Sequence, residues 1–289
     1  MRKINILLIL ILSIMVVLGS CNKKNSHKPD MKNFYAWCIV PFDNKNRTPE
    51  QRIDMLKQLG FTAYAYDWRQ HHLPEMAREL KLAADNGIQV TAVWMWLDKN
   101  DAAGNLSASN QKVLQALAET GTKTQIWVSF PEDYFDELND EEKLEEAAEI
   151  ISYVSLEAED LGCRVGLYNH GGWFGRPENL VSIIQSMPKV DLGIVFNFHH
   201  AHDMTSEFPE LVKVMKPYLW AVNLNGMNPE GPKIMTIGKG NKESEMVAAL
   251  EENGFHGPYG ILGHIENADV EKVLKANLEG LNKIDAFNQ

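Results

Sequence analysis

The chain has 289 residues, 45% hydrophobic and 23% charged, a composition that excludes disorder, collagen and coiled coil. A net charge of −11 repels phosphate backbones, so no nucleic acid partner is expected. Three cysteines with no CxxC pair exclude a disulfide scaffold, a zinc ribbon and a thioredoxin-type motif.

The first twenty residues read as an address. Met1-Arg2-Lys3 is a short positive start, Ile6 to Leu18 is almost unbroken apolar sequence, and Leu18-Gly19-Ser20-Cys21 precedes polar Asn22-Lys23-Lys24-Asn25. This is the layout of a secretory signal, and the run is shorter than the ~20 residues of a spanning helix. Leu-Gly-Ser-Cys resembles a bacterial lipobox, which implies cleavage before Cys21 and lipidation of its thiol. The expected organisation is a signal peptide over 1–20, a lipid-anchored tail over 21–32, and one domain over 33–289. The expected location is extracytoplasmic, on the membrane through the lipid at Cys21. The acidic body adds no attraction to anionic lipid, so the acyl chains would anchor it.

From Phe34 onward one unit recurs eight times. Strands are predicted at Phe34–Pro41, Thr62–Asp67, Gln89–Trp96, Thr124–Ser129, Arg164–Tyr168, Leu192–Asn197, Leu219–Asn223 and Tyr259–Gly263. Many are continuous apolar runs, the pattern of strands buried on both faces. Helices are predicted between them. Thr48-Pro49-Glu50-Gln51 opens one with a cap and a first-turn proline; Glu75–Asn86 follows Pro74; Asp140–Leu161 starts with acid and stops at Gly162. Pro177 opens another, and Val270–Ile284 is the last. Strict β–α alternation predicts a parallel sheet, and eight units fit a single (β/α)8 TIM barrel. Pro41-Phe42-Asp43-Asn44 stands where a dinucleotide fold has its glycine-rich loop, so no nucleotide cofactor is expected.

In such a barrel, chemistry gathers at the C-terminal ends of the strands. Those ends carry Asp67-Trp68-Arg69-Gln70-His71-His72, Trp94-Met95-Trp96, Tyr168-Asn169-His170-Gly171-Gly172-Trp173, Asn197-Phe198-His199-His200-Ala201-His202, Asn223-Leu224-Asn225 and Gly263-His264-Ile265-Glu266. Seven of the nine histidines fall there, whereas Lys123, Arg164, Lys189 and Pro217 at the other rim form no such cluster. Asp67 with Arg69 reads either as a rim ion pair or as an acid/base steadied by its neighbour. Trp94 and Trp96 suit core filling or sugar stacking, while Trp68 and Trp173, on loops, suit stacking. Because neighbours on a strand diverge, only one or two of His199, His200 and His202 are expected to converge. Gly171-Gly172 is expected to let backbone approach a ligand. Lys239 lies on a glycine-flanked segment that is either a flap over substrate or plain surface. Cys38 and Cys163, on opposite sides of the barrel, are expected as unbridged buried thiols.

Tyr168-Asn169-His170, Asn197-x-x-His200, Asn223-Leu224-Asn225 and the closing Gly257-Pro258-Tyr259-Gly260-Ile261-Leu262-Gly263-His264 resemble the xylose-isomerase-like barrel superfamily over Phe34–Ile284. That family includes sugar isomerases, sugar epimerases and endonuclease IV. The resemblance implies a divalent metal held by Glu, Asp, His and Glu after strands five to eight. Here those places fall to Tyr168, Asn197, Asn223 and Leu262 or nearby His264. Neutral amides, a phenol and an apolar group are poor ligands for Mg²⁺ or Mn²⁺, so the usual ligands are absent. A rebuilt site from His170, His200, His264 and Glu266 would suit Zn²⁺ or Co²⁺, leaving a divalent metal open.

The family's chemistry implies proton removal beside a carbonyl, with His170, His200, His264, Asp67 and Glu266 as acid/base candidates. Substrate contacts would come from Arg69, Trp68, Trp94, Trp96, Tyr168, Asn169, Trp173, Asn197, Asn223, Asn225 and Lys239. The expected partner is a small carbohydrate, unphosphorylated or oxidised, since no dense basic cluster marks a phosphate site. Alternatives are a 3-keto-sugar lyase or hydratase, and a non-catalytic carbohydrate-binding lipoprotein.

Overall fold

The computed structural model describes residues 30–288, so the expected signal peptide, Cys21 and most of the expected tail lie outside the described residues. Among the described residues no helix is long and apolar enough to cross a membrane.

Eight parallel strands close into one barrel in sequence order. They are β1 (Phe34–Trp37), β2 (Ala63–Tyr66), β3 (Gln89–Trp96), β4 (Gln125–Ser129), β5 (Arg164–Tyr168), β6 (Leu192–Asn197), β7 (Leu219–Leu224) and β8 (Tyr259–Leu262). Outside them lie α1 (Pro49–Leu59), α2 (Leu73–Asp85), α3 (Ala108–Thr120), α4 (Asp140–Asp160), α5 (Pro177–Ser186), α6 (Phe208–Met215), α7 (Glu243–Glu252) and α8 (Val270–Leu281). The expected (β/α)8 TIM barrel is the observed one.

The helix starts follow from their caps. Thr48 and Gln51 exchange side-chain to backbone bonds around Pro49, and Asn139 and Glu142 do the same ahead of the acidic first turn of α4. Two ion clusters tie units together. Arg52 of α1 and Glu79 of α2 pair at 2.7 Å while buried. Arg47 binds Asp43 at 2.7 Å and Asp269 at 2.9 Å, joining the first βα loop to the start of the last helix.

The apolar core has two parts. One fills the shell between strands and helices; the other, inside the barrel, holds Tyr35, Trp37, Trp127 and Tyr168. Trp127 meets Trp37 edge-on at 5.1 Å and lies parallel to Tyr168 at 6.2 Å. These rings plug the barrel floor and leave its C-terminal mouth open.

β1 stops four residues before the expected Pro41. Cys38 adopts φ +56°, a left-handed backbone that costs a non-glycine residue energy and ends a strand. The turn it makes carries Val40 back so that its N–H reaches the Asp67 carboxylate at 3.3 Å. Cys38 and Cys163 are both buried free thiols, as expected.

Candidate active site

The mouth encloses a cavity of about 140 Å³ lined by Trp37, Cys38, Phe42, Asp67, Arg69, Trp94, Tyr168, His170, His199, His200, Lys233 and His264. β1, β2, β3, β5, β6 and β8 each deliver residues at or just past their ends, and Lys233 comes from the loop after β7.

Asp67 is the one acid on the wall. It is 2% exposed; Oδ1 accepts the Val40 N–H, while Oδ2 is buried with no partner. Burial pushes its carboxyl up to about 6, offset in part by the Val40 bond and by Arg69. Burial and the same carboxylate push the Cys38 thiol up, so this sulfur is a poor nucleophile at neutral pH.

Four imidazoles form a chain along the opposite wall. His170 and His200 have ring centres 4.6 Å apart, His200 and His199 3.8 Å, and His199 and His264 6.1 Å. Burial lowers all four: His170 to about 4, His199 and His200 well below the usual value, and His264 despite its Glu266 partner. At neutral pH these rings are uncharged. Two of the three neighbouring histidines, His199 and His200, line the cavity and His202 does not, within the expected one or two. The chain leaves β6 at Asn197 and winds through a 3₁₀ turn over Phe198–His200, which removes the alternation.

Three buried polar atoms of residues that line this cavity have no hydrogen-bond partner: Asp67 Oδ2, Trp37 Nε1 and His170 Nδ1. Buried polar groups are ordinarily satisfied, and each one left unmade costs roughly 1–3 kcal/mol. An acceptor, a donor and an imidazole nitrogen on residues around one hollow mark where polar chemistry is unspent.

Several sequence candidates serve the scaffold instead. Asn169 takes the Asn197 N–H at 2.6 Å, and Asn197 donates its amide to Tyr168 Oη while accepting from His199 Nδ1 at 2.8 Å. Asn223 accepts the Tyr35 hydroxyl at 2.7 Å. Asn225 gathers its own loop, donating to the Lys233 carbonyl at 3.0 Å and accepting from Met235 N at 2.9 Å. His202 pins that loop too, through the Asn228 and Lys233 carbonyls at 2.6 and 3.0 Å. Trp68 is buried, not displayed, and its N–H bonds the Trp94 carbonyl at 2.7 Å. Trp173 packs on Phe135 at 5.0 Å, and Trp96 is wedged between Trp94 and His170 behind the wall. Glu266 points outward with its side chain 74% exposed, touching His264 at 3.1 Å. Lys239 is exposed and off the cavity; the lysine that lines it is Lys233. Gly172 lets its loop close on the Glu132 carbonyl, where a Cβ would sit 1.9 Å away, so the backbone it admits is the protein's own.

Sequence reasoning did not name Trp37, Cys38, Phe42, His199 and Lys233 as site residues. Trp37 and Phe42 flank the end of β1 and were legible as rim positions; Lys233 lies in a long loop whose path no local pattern fixes.

The implied metal can be tested on its donors. Tyr168, Asn197 and Asn223 are neutral and their oxygens are engaged with one another's neighbours, and Leu262 is buried and apolar. They do not fit a hard divalent cation. The alternative set fails differently, because Glu266 turns away. Among the described residues no three His, Cys, Asp or Glu side chains come together to hold a metal.

A family model of the xylose isomerase-like TIM barrel matches residues 53–284. The chain belongs to that family. No curated protein matches it. Among solved structures it is similar to a D-psicose 3-epimerase crystallised in the presence of D-fructose, with TM-score 0.64 and 16% identity over 86% of this chain and 96% of that one. A 3-keto-D-glucoside 4-epimerase from E. coli gives 0.63 at 14% identity over 88% and 99%. A probable 3-DHS dehydratase from Bacillus anthracis gives 0.62 at 14% over 86% and 98%. At these identities the likeness is one of fold. These three structures of like fold are described as two carbohydrate epimerases and a dehydratase.

Proposed function

We propose that this xylose isomerase-like barrel is an extracytoplasmic, lipid-anchored sugar isomerase or epimerase that removes a proton beside a carbonyl. The observation that carries the reading is Asp67 Oδ2, a buried carboxylate oxygen with no partner on the wall of the only acid-bearing face of the cavity described above. A base whose carboxyl is pushed up to about 6 is stronger than an ordinary carboxylate yet still ionised at pH 7.

Asp67 takes the proton from the carbon next to the carbonyl, and the electron pair moves to oxygen as an enediolate. That oxygen finds the unpartnered Trp37 N–H, and the Tyr168 hydroxyl is held beside it by Asn197. Trp94, its N–H fixed by Ser129 Oγ at 2.7 Å, offers a ring face to the sugar. Delivery of the proton from Asp67 to the neighbouring carbon, with the proton of the adjacent hydroxyl passing to the former carbonyl oxygen, is isomerisation. Return of a proton to the same carbon from its other face is epimerisation; the groups on that side are His170 and His200, whose few protons at neutral pH favour isomerisation over it. Elimination would use the same base but needs an acid for the departing group, and imidazoles of lowered basicity hold few protons at neutral pH. An inert binder has no use for an unsatisfied buried carboxylate, whose burial costs stability.

Location rests on the N-terminal sequence, and Cys21→Ser is expected to shift the protein from the membrane fraction to the soluble one. The catalytic reading is tested by incubating the protein with aldoses, ketoses and 3-keto-glycosides in D₂O. Deuterium entering a carbon beside the carbonyl supports it; binding without exchange for every sugar favours a receptor.

A further inference from the structure

The cavity is charged against the grain of the molecule. The chain carries 39 acidic and 28 basic residues, yet the cavity wall has one acid, Asp67, facing two cations, Arg69 and Lys233. Neither cation has a close carboxylate partner inside the cavity, and the single ionised Asp67 cannot balance both. The Arg69 guanidinium lies over Phe42 and Trp94, 5.2 and 5.8 Å from their ring centres. Its Nη1 donates to the Trp68 carbonyl at 2.9 Å, and among the described residues no carboxylate pairs with it. Lys233 has only the exposed Glu132, at 3.7 Å. Its backbone carbonyl is fixed by His202 and Asn225, both at 3.0 Å, which anchors the stem where the side chain lines the cavity.

We infer that the substrate carries a carboxylate, making it a sugar acid whose anionic end is held between Arg69 and Lys233. The inference deepens the enolisation reading, on which it rests for placing a sugar in this cavity. Both cations act on the same space, since Lys233 lowers the basicity of His170, His199, His200 and His264, and Arg69 that of His170 and His264. Those rings are therefore neutral and add no charge, and a neutral sugar would leave a net positive charge on the wall, two cations against Asp67, as it displaced their water. A planar guanidinium fork matches a carboxylate in shape. A phosphate ester is a worse fit, for such sites marshal rows of backbone N–H groups at a helix N-terminus or glycine-rich loop, and no such loop borders this cavity.

Calorimetric titration of the mature protein with D-glucuronate and D-galacturonate tests this, against D-glucose, D-galactose, D-glucuronamide and D-glucose 6-phosphate. The uronates should bind roughly tenfold or more tighter than the neutral sugars and the amide, with affinity falling as salt is added. Lys233→Met, on an exposed loop, and Arg69→Met should each erase most of that preference while the thermal unfolding curve is retained. Equal binding of acid and neutral sugar, or a preference that survives both substitutions, overturns the inference; so does an absence of binding by any sugar acid, or a phosphate ester that outcompetes the uronates. The two readings fail separately. Uronates that bind preferentially but exchange no deuterium contradict enolisation and leave the charge assignment standing. Neutral sugars that exchange while uronates show no preference do the reverse.

Discussion

The hydroxyl of Tyr35 donates to the carboxamide oxygen of Asn223 at 2.7 Å, across the interior of the barrel from β1 to β7. The contact depends on Gly260 of the intervening β8, where a Cβ would stand 1.9 Å from that oxygen. Two neutral groups thus close the strand end at which the family resemblance implies a metal-binding histidine. Asn223 Nδ2 already lacks a partner, so Tyr35→Phe leaves the whole buried amide unmet. A loss of about 1–3 kcal/mol is expected in denaturant titration.

Metal content follows from the same donor set. With Tyr168, Asn197 and Asn223 spent on internal bonds, the purified protein is expected to hold no stoichiometric divalent ion. Chelation should leave activity unchanged. Elemental analysis before and after chelation checks this; a tightly held ion in a one-to-one ratio would contradict it.

Activity should depend on pH through Asp67. Its carboxyl is raised to about 6 by burial, and the base is the ionised form. Therefore kcat/KM for the free enzyme should fall as pH drops through about 6 and stay level above 7. A profile that rises toward acid would identify a protonated group as the essential one.

Acid should also unfold the protein through its imidazoles. His170 is lowered to about 4 in the fold against about 6.5 when unfolded, so the unfolded chain binds more protons between those values. The stability this neutral ring contributes is complete above pH 6.5 and is lost as pH falls toward 4. His199, His200 and His264 shift in the same direction and add to it. Asp67, raised, acts oppositely and favours the fold at low pH. With four histidines against one acid, Tm should decline steeply below pH 6, and His170→Asn should flatten that decline.

The strands were legible because both faces of each are buried, which writes them as apolar runs. β3, β5 and β6 fall on their expected residues. Helix starts were legible where a cap spoke for them, as at Thr48. The mouth was legible as a place, since Asp67, Arg69, His170, His200 and His264 do line one hollow. What local sequence could not convey was which polar side chains are consumed by their neighbours. Asn197 and Asn225 look like sugar ligands until Tyr168 and the Lys233 carbonyl are seen to occupy them. Lys239 and Lys233 sit in one loop, and only the bonds from Asn225 and His202 decide which of the two faces inward.

The central claim is that an unpartnered carboxylate at the barrel mouth takes a proton from carbon. Deuterium exchange from D₂O, followed by NMR on the best-bound sugar with wild type and Asp67→Asn in parallel, reads that step alone. The account expects exchange beside the carbonyl with wild type, and a loss of roughly 10²–10⁴-fold in the variant with its unfolding temperature held or raised. Exchange that persists undiminished in Asp67→Asn would contradict it.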